Sequence, residues 1–487
     1  MQKMKKTKIV ATVSDIRCDV ELIQKLYDAG MDVVRINSAH ATEEGASTVV
    51  KNARTVSAGI PVMIDTKGPE IRLTNVGDGE GSIFFEVGDV VKVKGTADNS
   101  LLITKELIYM NVPALVNDMN VGNRLLIADG SLELVVLEKH EDHLVCKFTI
   151  GGELKSRKSV NVPGVHVDLP SITPKDRRFI EWATKNDVDF IAHSFVRSAA
   201  DVKAVQDILD EHNSPIKIIS KIENQEGIDN IDEIIEASYA IMVARGDMGV
   251  ELAAEKIPGV QRMIVEKCIA AKRPVIIATQ MVYSMVNSPR PTRAEVSDVA
   301  SAIYERVDAI MLSDETASGK FPVEAVKTMA KVAREIESDE RQFPPMVDLE
   351  MVSVNHEVMA QLARSAVRAC NNLPIKYVMI DTYSGRCGRY LAAFRGKKSV
   401  IAVCYTQHAQ RVLALSYGVV PILREKVKNE MYHFLVDAVA YVKEHCPLEN
   451  SDLIASVGGS FGRRKGGSYV EIASVEDIIT RENGLLM

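Results

Sequence analysis

The sequence predicts an α/β protein: a TIM (β/α)8 barrel that is interrupted by an all-β, barrel-like domain and followed by an open α/β C-terminal domain. Short β-branched apolar runs alternate with amphipathic helical windows, which is the pattern of parallel strands joined by helices. Eight such runs occur, three before an interruption and five after it, and eight is the number that a TIM barrel requires. The interruption has Gly-punctuated, hairpin-like strands and hardly any helical window.

The eight apolar runs are the predicted barrel strands. They cover residues 8–13, 33–37, 61–66, 190–195, 217–222, 239–244, 275–280 and 309–313. Between the first two runs, an apolar stripe from Leu22 to Ala29 predicts a helix, and Gly30 is its expected C-cap. A last barrel helix is predicted from Val323 to about Glu335.

The predicted domain boundaries lie where the alternation of strand and helix patterns stops and where it resumes. The barrel is assigned to residues 1–70 and 169–340, and the inserted all-β domain to residues 71–168. A charged stretch with two prolines near residues 338–346 predicts a linker. Residues 341–487 again alternate helix and strand, which predicts a separate α/β domain.

Composition excludes several classes of protein. The 487 residues include 59 Lys and Arg against 66 Asp and Glu, and this net charge of −7 gives no attraction to nucleic acid or to an acidic membrane surface. The cysteines form no CxxC pair, which argues against a disulfide framework or a zinc site and favours a reducing cytoplasm. The apolar stretch near the N-terminus is too short for a signal peptide, and no apolar run is long enough for a membrane span.

Polar side chains end most of the predicted barrel strands. Enzymes with this fold place their active sites at the carboxyl ends of the strands, so these side chains are expected to meet at one mouth. They are Arg35 and Asn37, Asp65 and Thr66, Lys221 and Glu223, Asp247, Thr279, and Ser313. Residues two apart lie on the same side of a strand, which places the members of the first and third pairs together.

The types of these residues favour metal-assisted phosphoryl transfer. Two carboxylates, Glu223 and Asp247, suit Mg²⁺, which takes one or two carboxylates and completes its coordination with water and phosphate oxygens. A nearby lysine and arginine would neutralise a phosphoryl group in transfer. No HExxH pair is present, and Gly319-Lys320 is not the end of a P-loop because Asp314 stands where that motif needs glycine.

Structural interpretations compete with these functional ones. A single charged residue at a strand end is more often part of a surface ion pair. Asn37, Thr279 and Ser313 could only satisfy backbone groups of loops. Three histidines, His40, His166 and His193, are expected to be structural or solvated.

Several segments taken together resemble the pyruvate kinase family along nearly the whole chain. They are GMDVVRIN, IDTKGPEIRL, VNVPGVHVDLP, SKIENQEG, MVARGDMGVE, IIATQM, PRPTRAEVSDVA and MLSDETASGKFPVEAV. The resemblance implies transfer of the phosphoryl group of phosphoenolpyruvate to ADP, which gives pyruvate and ATP in the final step of glycolysis. It also implies Mg²⁺ (or Mn²⁺) and K⁺ as cofactors. The chain is then expected to form a homotetramer and to carry its catalytic site in the barrel.

The resemblance assigns roles to residues at the barrel mouth. Lys221 is similar to the lysine that stabilises the phosphoryl group, and Arg35 to an arginine that binds the transferred phosphate. Glu223 and Asp247 are similar to the Mg²⁺ ligands. The backbone around Gly246 and Asp247 resembles the site for the substrate carboxylate.

The resemblance extends these roles to hydroxyl groups and to the inserted domain. Thr279 is similar to a residue that binds substrate, and its hydroxyl and that of Ser313 resemble those that take part in protonating the enolate. Arg72 and Lys158 are the implied contacts for the nucleotide, which lies between the barrel and the inserted domain. That domain is expected to act as a lid whose closure excludes water.

A potassium site is implied with one departure from the family pattern. Asn37, Asp65 and Thr66 match three of its ligands, but Ala39 stands where a serine is usual. Water or the neighbouring Ser38 would then fill the gap. TKGPE, which ends in a glutamate, is similar to the K⁺-dependent form of the family, so K⁺ stimulation is expected.

The C-terminal domain is expected to be regulatory. Its segment Thr382, Ser384, Gly385 and Arg386 resembles a loop that holds a sugar-phosphate effector, and the identity of the effector, a sugar phosphate or a nucleotide, stays open. A Gly-rich segment near residues 459–467 would support this loop. Residues 12–17 and 281–285 depart from the family pattern, with effects on nucleotide preference or subunit contacts that stay open.

Two rival functions remain at this point. A barrel aldolase or lyase that acts on pyruvate-like enolates could use the same lysine, carboxylates and Mg²⁺ without needing a nucleotide. A catalytically altered, metabolite-binding protein could keep the C-terminal loop but has no reason to keep Lys221 beside both carboxylates. Nucleotide-dependent turnover separates the three.

Overall fold

A computed structural model describes residues 5–77, 81–167, 169–338, 352–353, 357–425, 433–459 and 467–485. It contains a closed eight-stranded parallel barrel, a mostly antiparallel inserted region and a five-stranded α/β C-terminal domain. The predicted fold class is confirmed. The predicted linker near residues 338–346 lies almost entirely outside the described residues, as does most of the Gly-rich segment near residues 459–467.

Twenty-four strands are described. The chain begins with β1 (Lys8–Thr12), β2 (Val33–Asn37) and β3 (Val62–Asp65). The inserted region holds β4 (Ile71–Arg72), β5 (Asn75–Val76), β6 (Ser82–Phe85), β7 (Val90–Gly95), β8 (Leu102–Ile103), β9 (Leu107–Met110), β10 (Arg124–Ile127), β11 (Leu132–Lys139), β12 (Leu144–Ile150), β13 (Gly152–Lys155) and β14 (Ser159–Asn161). The barrel resumes with β15 (Phe190–His193), β16 (Lys217–Ile222), β17 (Ala240–Ala244), β18 (Val275–Ala278) and β19 (Ala309–Leu312). The C-terminal sheet contains β20 (Ile375–Thr382), β21 (Val400–Cys404), β22 (Val419–Leu423), β23 (Leu453–Gly459) and β24 (Gly467–Ser474).

The α-helices follow the same division. Those before and within the insertion are α1 (Val20–Ala29), α2 (Glu43–Val56) and α3 (Leu115–Asp118). The rest of the barrel has α4 (Pro174–Ala183), α5 (Ala199–Glu211), α6 (Gln225–Asp229), α7 (Ile231–Ala237), α8 (Arg245–Glu251), α9 (Ile257–Ala270), α10 (Arg293–Tyr304), α11 (Asp314–Ala317) and α12 (Pro322–Ser338). The C-terminal domain has α13 (Val358–Asn372), α14 (Arg386–Ala393), α15 (Gln407–Leu413), α16 (His433–His445) and α17 (Val475–Leu485). Among the described helices, none is both long and apolar enough to cross a lipid bilayer.

The barrel strands pair in chain order, and β19 returns to pair with β1. All eight predicted strands are present, and β3 and β15 are neighbours although the insertion separates them in the chain. Alternate side chains point into the barrel, as Val33, Met63, Ile219 and Met242 do, and form a core of their own. The other side chains face the helices.

Helix ends in the barrel are specified by local polar residues. Gly30 ends α1 with φ 120°, as the sequence predicts. Before α4, Thr173 and Asp176 form a capping box in which each side chain accepts from the other residue's backbone N–H. Asp176 Oδ1 also accepts from the N–H of Lys67 at 2.9 Å, so this cap holds the loop that follows β3 at the barrel mouth.

The inserted region has a hydrophobic core separate from that of the barrel. Its largest sheet has seven strands in the order β4-β14-β10-β11-β12-β7-β9. The rings of Phe85 and Phe148 stack there with centroids 4.5 Å apart. The insertion therefore has the packing of a small β domain attached at the end of β3.

The C-terminal sheet has the order β22-β21-β20-β23-β24, with only β24 antiparallel. This domain packs against the base of the barrel, the end away from the mouth. Val412 and Leu415 of this domain pack against the side chains that fill the barrel interior. The base of the barrel is thus closed by the C-terminal domain.

A buried ion pair joins these two domains. Arg395 follows α14, and its guanidinium nitrogens lie 3.0 and 2.5 Å from the two carboxylate oxygens of Asp308, just before β19. The side chains are 1% and 2% exposed. Asp308 also accepts from the backbone N–H of Val275 and Tyr417, so one carboxylate links two barrel strands to the C-terminal domain.

We expect Asp308→Asn to lower the free energy of unfolding by about 3–5 kcal/mol, because it leaves the Arg395 charge buried without its partner. The matched control is Asp207→Asn, whose exposed pair with Lys203 contributes at most ~1 kcal/mol. Urea unfolding of both variants measures the difference. Equal effects of the two substitutions would contradict this account of the domain interface.

Candidate active site at the barrel mouth

A cavity of about 720 Å³ opens at the carboxyl ends of the barrel strands, beneath the inserted region. Every strand-end residue selected from the sequence lines it except Ser313: Arg35, Asn37, Asp65, Thr66, Lys221, Glu223, Asp247 and Thr279. The inserted region contributes polar residues from above, including Arg72, Asn75, Asn99, Asn111 and Arg157. The structure therefore assembles the predicted set at one mouth.

Asp65 is the central carboxylate of the site. Its Oδ2 accepts from Arg35 Nε at 2.7 Å, and its Oδ1 lies 3.1 Å from Lys221 Nζ. Arg35 also donates to the Thr12 hydroxyl at 2.8 Å. Burial raises the pKa of Asp65, but the charges of Arg35 and Lys221 outweigh burial and hold the pKa below its ordinary value. Asp65 is therefore ionised and keeps two cations from different strands together.

Lys221 is buried among oxygen atoms. Its Nζ donates to Ser194 Oγ at 2.7 Å and lies 3.0 Å from Glu223 Oε1. Burial lowers the pKa of Lys221, but the carboxylates of Asp65, Glu223 and Asp247 raise it above the ordinary value. The ammonium is thus charged at neutral pH and is directed toward the cavity by fixed partners.

Ser194 connects two strand ends. Its hydroxyl donates to the carbonyl of Thr66 at 2.6 Å while it accepts from Lys221. Its backbone N–H donates to the Thr66 hydroxyl at 3.1 Å. Ser194 therefore fixes the loop that follows β3 against the lysine at the end of β16.

Glu223 is buried with one oxygen held by the backbone. Its Oε2 accepts from the N–H of Phe195 at 2.6 Å, and Phe195 has a left-handed φ of 55°. Its Oε1 has no aligned hydrogen-bond donor among the described residues, although the charge of Lys221 is close. Burial raises the pKa of Glu223 to about 7, Lys221 opposes this rise, and the charge of Asp247 adds to it.

Asp247 lies in the first turn of α8, directly after β17. No hydrogen bond within the described part of the chain occupies its carboxylate. The preceding residue, Gly246, donates its backbone N–H to Thr279 Oγ1 at 2.8 Å. The Thr279 hydroxyl in turn donates to the carbonyl of Ala278. Thr279 has a left-handed φ of 69°, so the end of β18 turns its hydroxyl toward α8.

The two carboxylates fit a hard divalent cation. Glu223 Oε1 is a buried oxygen without an aligned donor, and Asp247 is partly exposed at the cavity. In the described ranges, no three His, Cys, Asp or Glu side chains come together as a metal site. An ion bound here would complete its coordination with water and substrate oxygens, as Mg²⁺ commonly does.

The residues implied as potassium ligands also line the cavity. Asn37 Oδ1 accepts from the N–H of Ala39 at 3.0 Å, and the Thr66 carbonyl accepts from Ser194. Ala39 lines the cavity, whereas Ser38 does not. The Ser38 hydroxyl is buried and has no hydrogen-bond partner among the residues described.

Of the two predicted nucleotide contacts, only Arg72 lines the cavity. Its Nε pairs with Glu70 at 2.6 Å, and its Nη1 donates to the carbonyl of Arg157. The exposed Lys158 lies outside the lining, and the adjacent Arg157 is in it, with a left-handed φ of 60° and a bond to Asn75. Sequence reasoning missed Arg157 because nothing in the SRKS run shows which basic side chain turns inward.

The remaining predicted residues lie apart from the cavity. Ser313 follows β19, and its N–H donates to Glu315 at 2.8 Å. In the C-terminal loop, the Thr382 hydroxyl accepts from the N–H of Gly385, which has φ 79°. Arg386 pairs with Glu357 at 2.8 Å, and Ser384 is exposed.

The three histidines occupy different surroundings. His40 lines the cavity, and the exposed His166 pairs with Glu226 at 2.7 Å. His193 is buried, and burial lowers its pKa to about 4. None of the three contacts Lys221 or Asp65 through a hydrogen bond in the described part of the chain.

Comparison with known proteins identifies similar chains along nearly the full length. The family model of the pyruvate kinase barrel domain matches residues 4–326, and that of the pyruvate kinase α/β domain matches residues 360–472. A pyruvate kinase of Borreliella burgdorferi is 42% identical over 482 residues, which cover 98% of this chain and 99% of that protein. One of Staphylococcus epidermidis is 40% identical over 489 residues, covering 99% of this chain and 82% of that protein.

A solved structure is similar as well. The crystal structure of a pyruvate kinase from Cryptosporidium parvum superposes with a TM-score of 0.89 at 34% sequence identity. The match covers 97% of this chain and 96% of the other. The similarity therefore extends over the barrel, the inserted region and the C-terminal domain.

The raised pKa of Glu223 predicts a pH-dependent effect of Glu223→Gln. With a folded-state pKa of about 7 against an ordinary 4.5, folding favours the protonated carboxyl, so ionisation destabilises the metal-free protein as pH rises through that range. Glutamine resembles the protonated form. The stability advantage of the variant over wild type should grow by an amount on the order of 2 kcal/mol between about pH 5 and about pH 8.

Urea unfolding in the presence of a chelator measures this difference at each pH. Glu44→Gln, at an exposed position on α2, is the matched control and should show no such growth. A difference between Glu223→Gln and wild type that stays constant with pH would contradict the buried ionisation.

Proposed function

This chain belongs to the pyruvate kinase family, and from that membership we propose that it transfers the phosphoryl group of phosphoenolpyruvate to ADP, giving pyruvate and ATP. The observation that carries the proposal is the contact of Asp65 with both Arg35 and Lys221 beside two carboxylates, Glu223 and Asp247. Fixed cations are what a transferred phosphoryl group requires, because catalysis of this reaction is mainly positioning and charge stabilisation.

Lys221 and Arg35 are proposed to bind and neutralise the phosphoryl group. Both side chains are nearly buried, at 11% and 9% exposed, so their charges act in a medium that screens them less than water does. Their shared partner Asp65 fixes the separation of the two cations before substrate arrives. Little reorganisation is then needed as negative charge moves during transfer.

Glu223 and Asp247 are proposed to hold Mg²⁺ or Mn²⁺. When bound, the ion supplies charge stabilisation to the phosphoryl oxygens and a template for the substrate. Glu223 is prepared for this role because Phe195 fixes its Oε2 and leaves Oε1 free of an aligned donor. The cation would also favour the ionised form of Glu223.

Thr279, Gly246 and the backbone near Asp247 are proposed to bind the substrate carboxylate. The hydroxyl of Thr279 joins the end of β18 to the start of α8, so it lies beside backbone N–H groups at a helix N-terminus. Thr279 is also proposed to help protonate the enolate. The same role for Ser313 stays a prediction, because its hydroxyl is outside the cavity lining.

The inserted domain, assigned to residues 71–168, is proposed to contribute the nucleotide site and to close over the barrel of residues 1–70 and 169–340. Arg72 is the supported contact, and Arg157 joins it in the lining. Lys158, also predicted for the nucleotide, would have to approach on closure. Closure would exclude water from the transfer.

K⁺ is proposed as a second cofactor, held by Asn37, Asp65 and Thr66. These three residues line the cavity together, and Glu70 pairs with Lys67 and Arg72 close by. Ala39 contributes a methyl group where a hydroxyl would complete the set, so water is the proposed fourth ligand. This arrangement is expected to bind K⁺ weakly.

Regulation, assembly and location complete the proposal. The C-terminal domain, residues 341–487, is proposed to bind a sugar-phosphate or nucleotide effector at the loop of Thr382, Ser384, Gly385 and Arg386, in which Gly385 is the N-cap of α14. The family relation supports a homotetramer in the cytoplasm that acts in glycolysis. A catalytically altered, metabolite-binding relative is the alternative, but the intact mouth argues against it.

We expect pyruvate to form from phosphoenolpyruvate only when ADP is present with Mg²⁺ and K⁺. Lys221→Met should lower kcat by roughly 100- to 1,000-fold or more, because the variant removes a preorganised charge at the transferred group. Lys203→Met removes an exposed lysine of α5 and should keep wild-type activity. A coupled assay for pyruvate measures all three proteins.

Other outcomes of that assay point to the rival functions. ADP-independent consumption of phosphoenolpyruvate would support a lyase. No turnover by the wild type, even with fructose 1,6-bisphosphate, ribose 5-phosphate or AMP added, would support a binding protein.

The potassium site predicts a gain from Ala39→Ser. The added hydroxyl should lower the K⁺ concentration for half-maximal activity by roughly 2- to 10-fold, the equivalent of one polar contact. The measurement is a K⁺ titration of both proteins at constant ionic strength with tetramethylammonium. Wild-type activity that is equal in the two cations would contradict a potassium site.

A further inference from the structure

The base of the barrel carries a group of three cationic side chains, which we call the basal cation cluster: Lys217, Arg273 and Arg389. Lys217 begins β16, Arg273 precedes β18, and Arg389 lies on α14 of the C-terminal domain. None of the three has a carboxylate partner among the described residues. The cluster lies at the end of the barrel away from the cavity, so it is separate from the proposed active site.

Tyr239 precedes β17, the strand between β16 and β18, and contacts Arg389. The guanidinium of Arg389 lies 5.1 Å from the centre of the Tyr239 ring, and the backbone N–H of Tyr239 donates to the carbonyl of Ile218, next to Lys217. The neighbouring strand begins just after Arg273, whose Nη2 donates to the backbone carbonyl of Glu236. Arg389 therefore packs on the Tyr239 ring where strand ends meet the C-terminal domain, close enough for its charge to act on both Lys217 and Arg273.

The charges in this cluster are not balanced locally. One carboxylate, that of Glu236, acts on Arg273 without forming an ion pair among the described residues, and Asp308 near Tyr239 already pairs with Arg395, so three cations face a single unpaired carboxylate. Arg389 Nε is buried and lacks a hydrogen-bond partner within the described residues. A buried donor that is left unpaired is unfavourable, so this nitrogen requires an acceptor.

The pKa values of Lys217 and Arg273 are shifted in the direction expected for cations that repel one another. Burial lowers the pKa of Lys217, and the charge of Arg389 lowers it further. Burial and the charge of Arg389 also lower the pKa of Arg273, although Tyr390, Tyr239 and Glu236 oppose them. Like charges that are gathered in a half-buried place destabilise the protein unless an anion joins them.

We propose that the basal cation cluster binds a phosphate group, either free phosphate or the phosphate of a small metabolite. Two guanidinium forks and one ammonium match the several oxygens and the double charge of this group. Lys217 shares its strand with Lys221, four residues and ~13 Å away, so one strand carries a proposed phosphate contact at each end.

The direct test is a crystal of the full chain soaked in selenate, a tetrahedral dianion with an anomalous signal. A peak is expected at the base, within hydrogen-bond distance of Lys217 Nζ and the Arg389 guanidinium. Arg389→Met should abolish this peak and leave any selenate at the barrel mouth as an internal control. Absence of a peak at the base in wild-type crystals would overturn the proposal.

Solution measurements separate a site from an adventitious ion. Inorganic phosphate should raise the Tm of wild type and of Arg262→Met, an exposed arginine on α9, by more than that of Arg389→Met. In phosphate-free buffer, Lys217→Met should raise Tm, since it removes a cation that only repels its neighbours. This second variant keeps the proposal testable if Arg389→Met folds poorly.

Ribose 5-phosphate and citrate are the comparison ligands. For each ligand, only the part of the Tm shift that Arg389→Met removes is counted, because the proposed effector loop and the barrel mouth also take phosphates. On this measure, tighter binding of ribose 5-phosphate than of inorganic phosphate would support a metabolite, and the reverse would support the free ion. Citrate binding in preference to both would overturn the assignment to phosphate. The same phosphate-induced Tm shift in wild type, Arg262→Met and Arg389→Met would mean an adventitious ion only. These outcomes do not depend on turnover, so they are distinguishable from failure of the proposed kinase activity.

Discussion

The barrel mouth depends on one buried carboxylate, that of Asp65. It contacts the guanidinium of Arg35 on the neighbouring strand and the ammonium of Lys221 two strands away. Without this charge, two cations would face each other in a buried place, and burial alone would favour neutral Lys221. The carboxylate therefore both stabilises the fold locally and keeps positive charge available at the cavity.

The fold makes this arrangement possible by joining distant parts of the chain. β3 and β15 are neighbours in the barrel, but the whole inserted domain lies between them in the sequence. Ser194, just beyond β15, then links the Thr66 carbonyl to Lys221. The loop that follows β3 is also fixed by Asp176 of α4, so the point at which the inserted domain leaves the barrel is held by barrel residues.

The barrel was predictable because its signal is periodic. Eight β-branched runs identify the strands, and residues two apart, such as Lys221 and Glu223, must share a face. The contacts of Ser194, Phe195 and Arg157 were not predictable in this way. Phe195 and Arg157 depend on left-handed backbone that neither residue type favours, and only the surrounding packing imposes it. The Ser194 contacts depend on which strands become neighbours after the barrel closes.

Asp65 is the group that keeps Lys221 charged at the mouth of the barrel. The most direct measurement is the pKa of Lys221, followed by ¹⁵N NMR of the lysine side chains, in wild type and in Asp65→Asn. We expect a Lys221 pKa above the ordinary 10.5 in wild type and a pKa lower by at least ~1 in the variant. The same pKa in both proteins would contradict this role of Asp65.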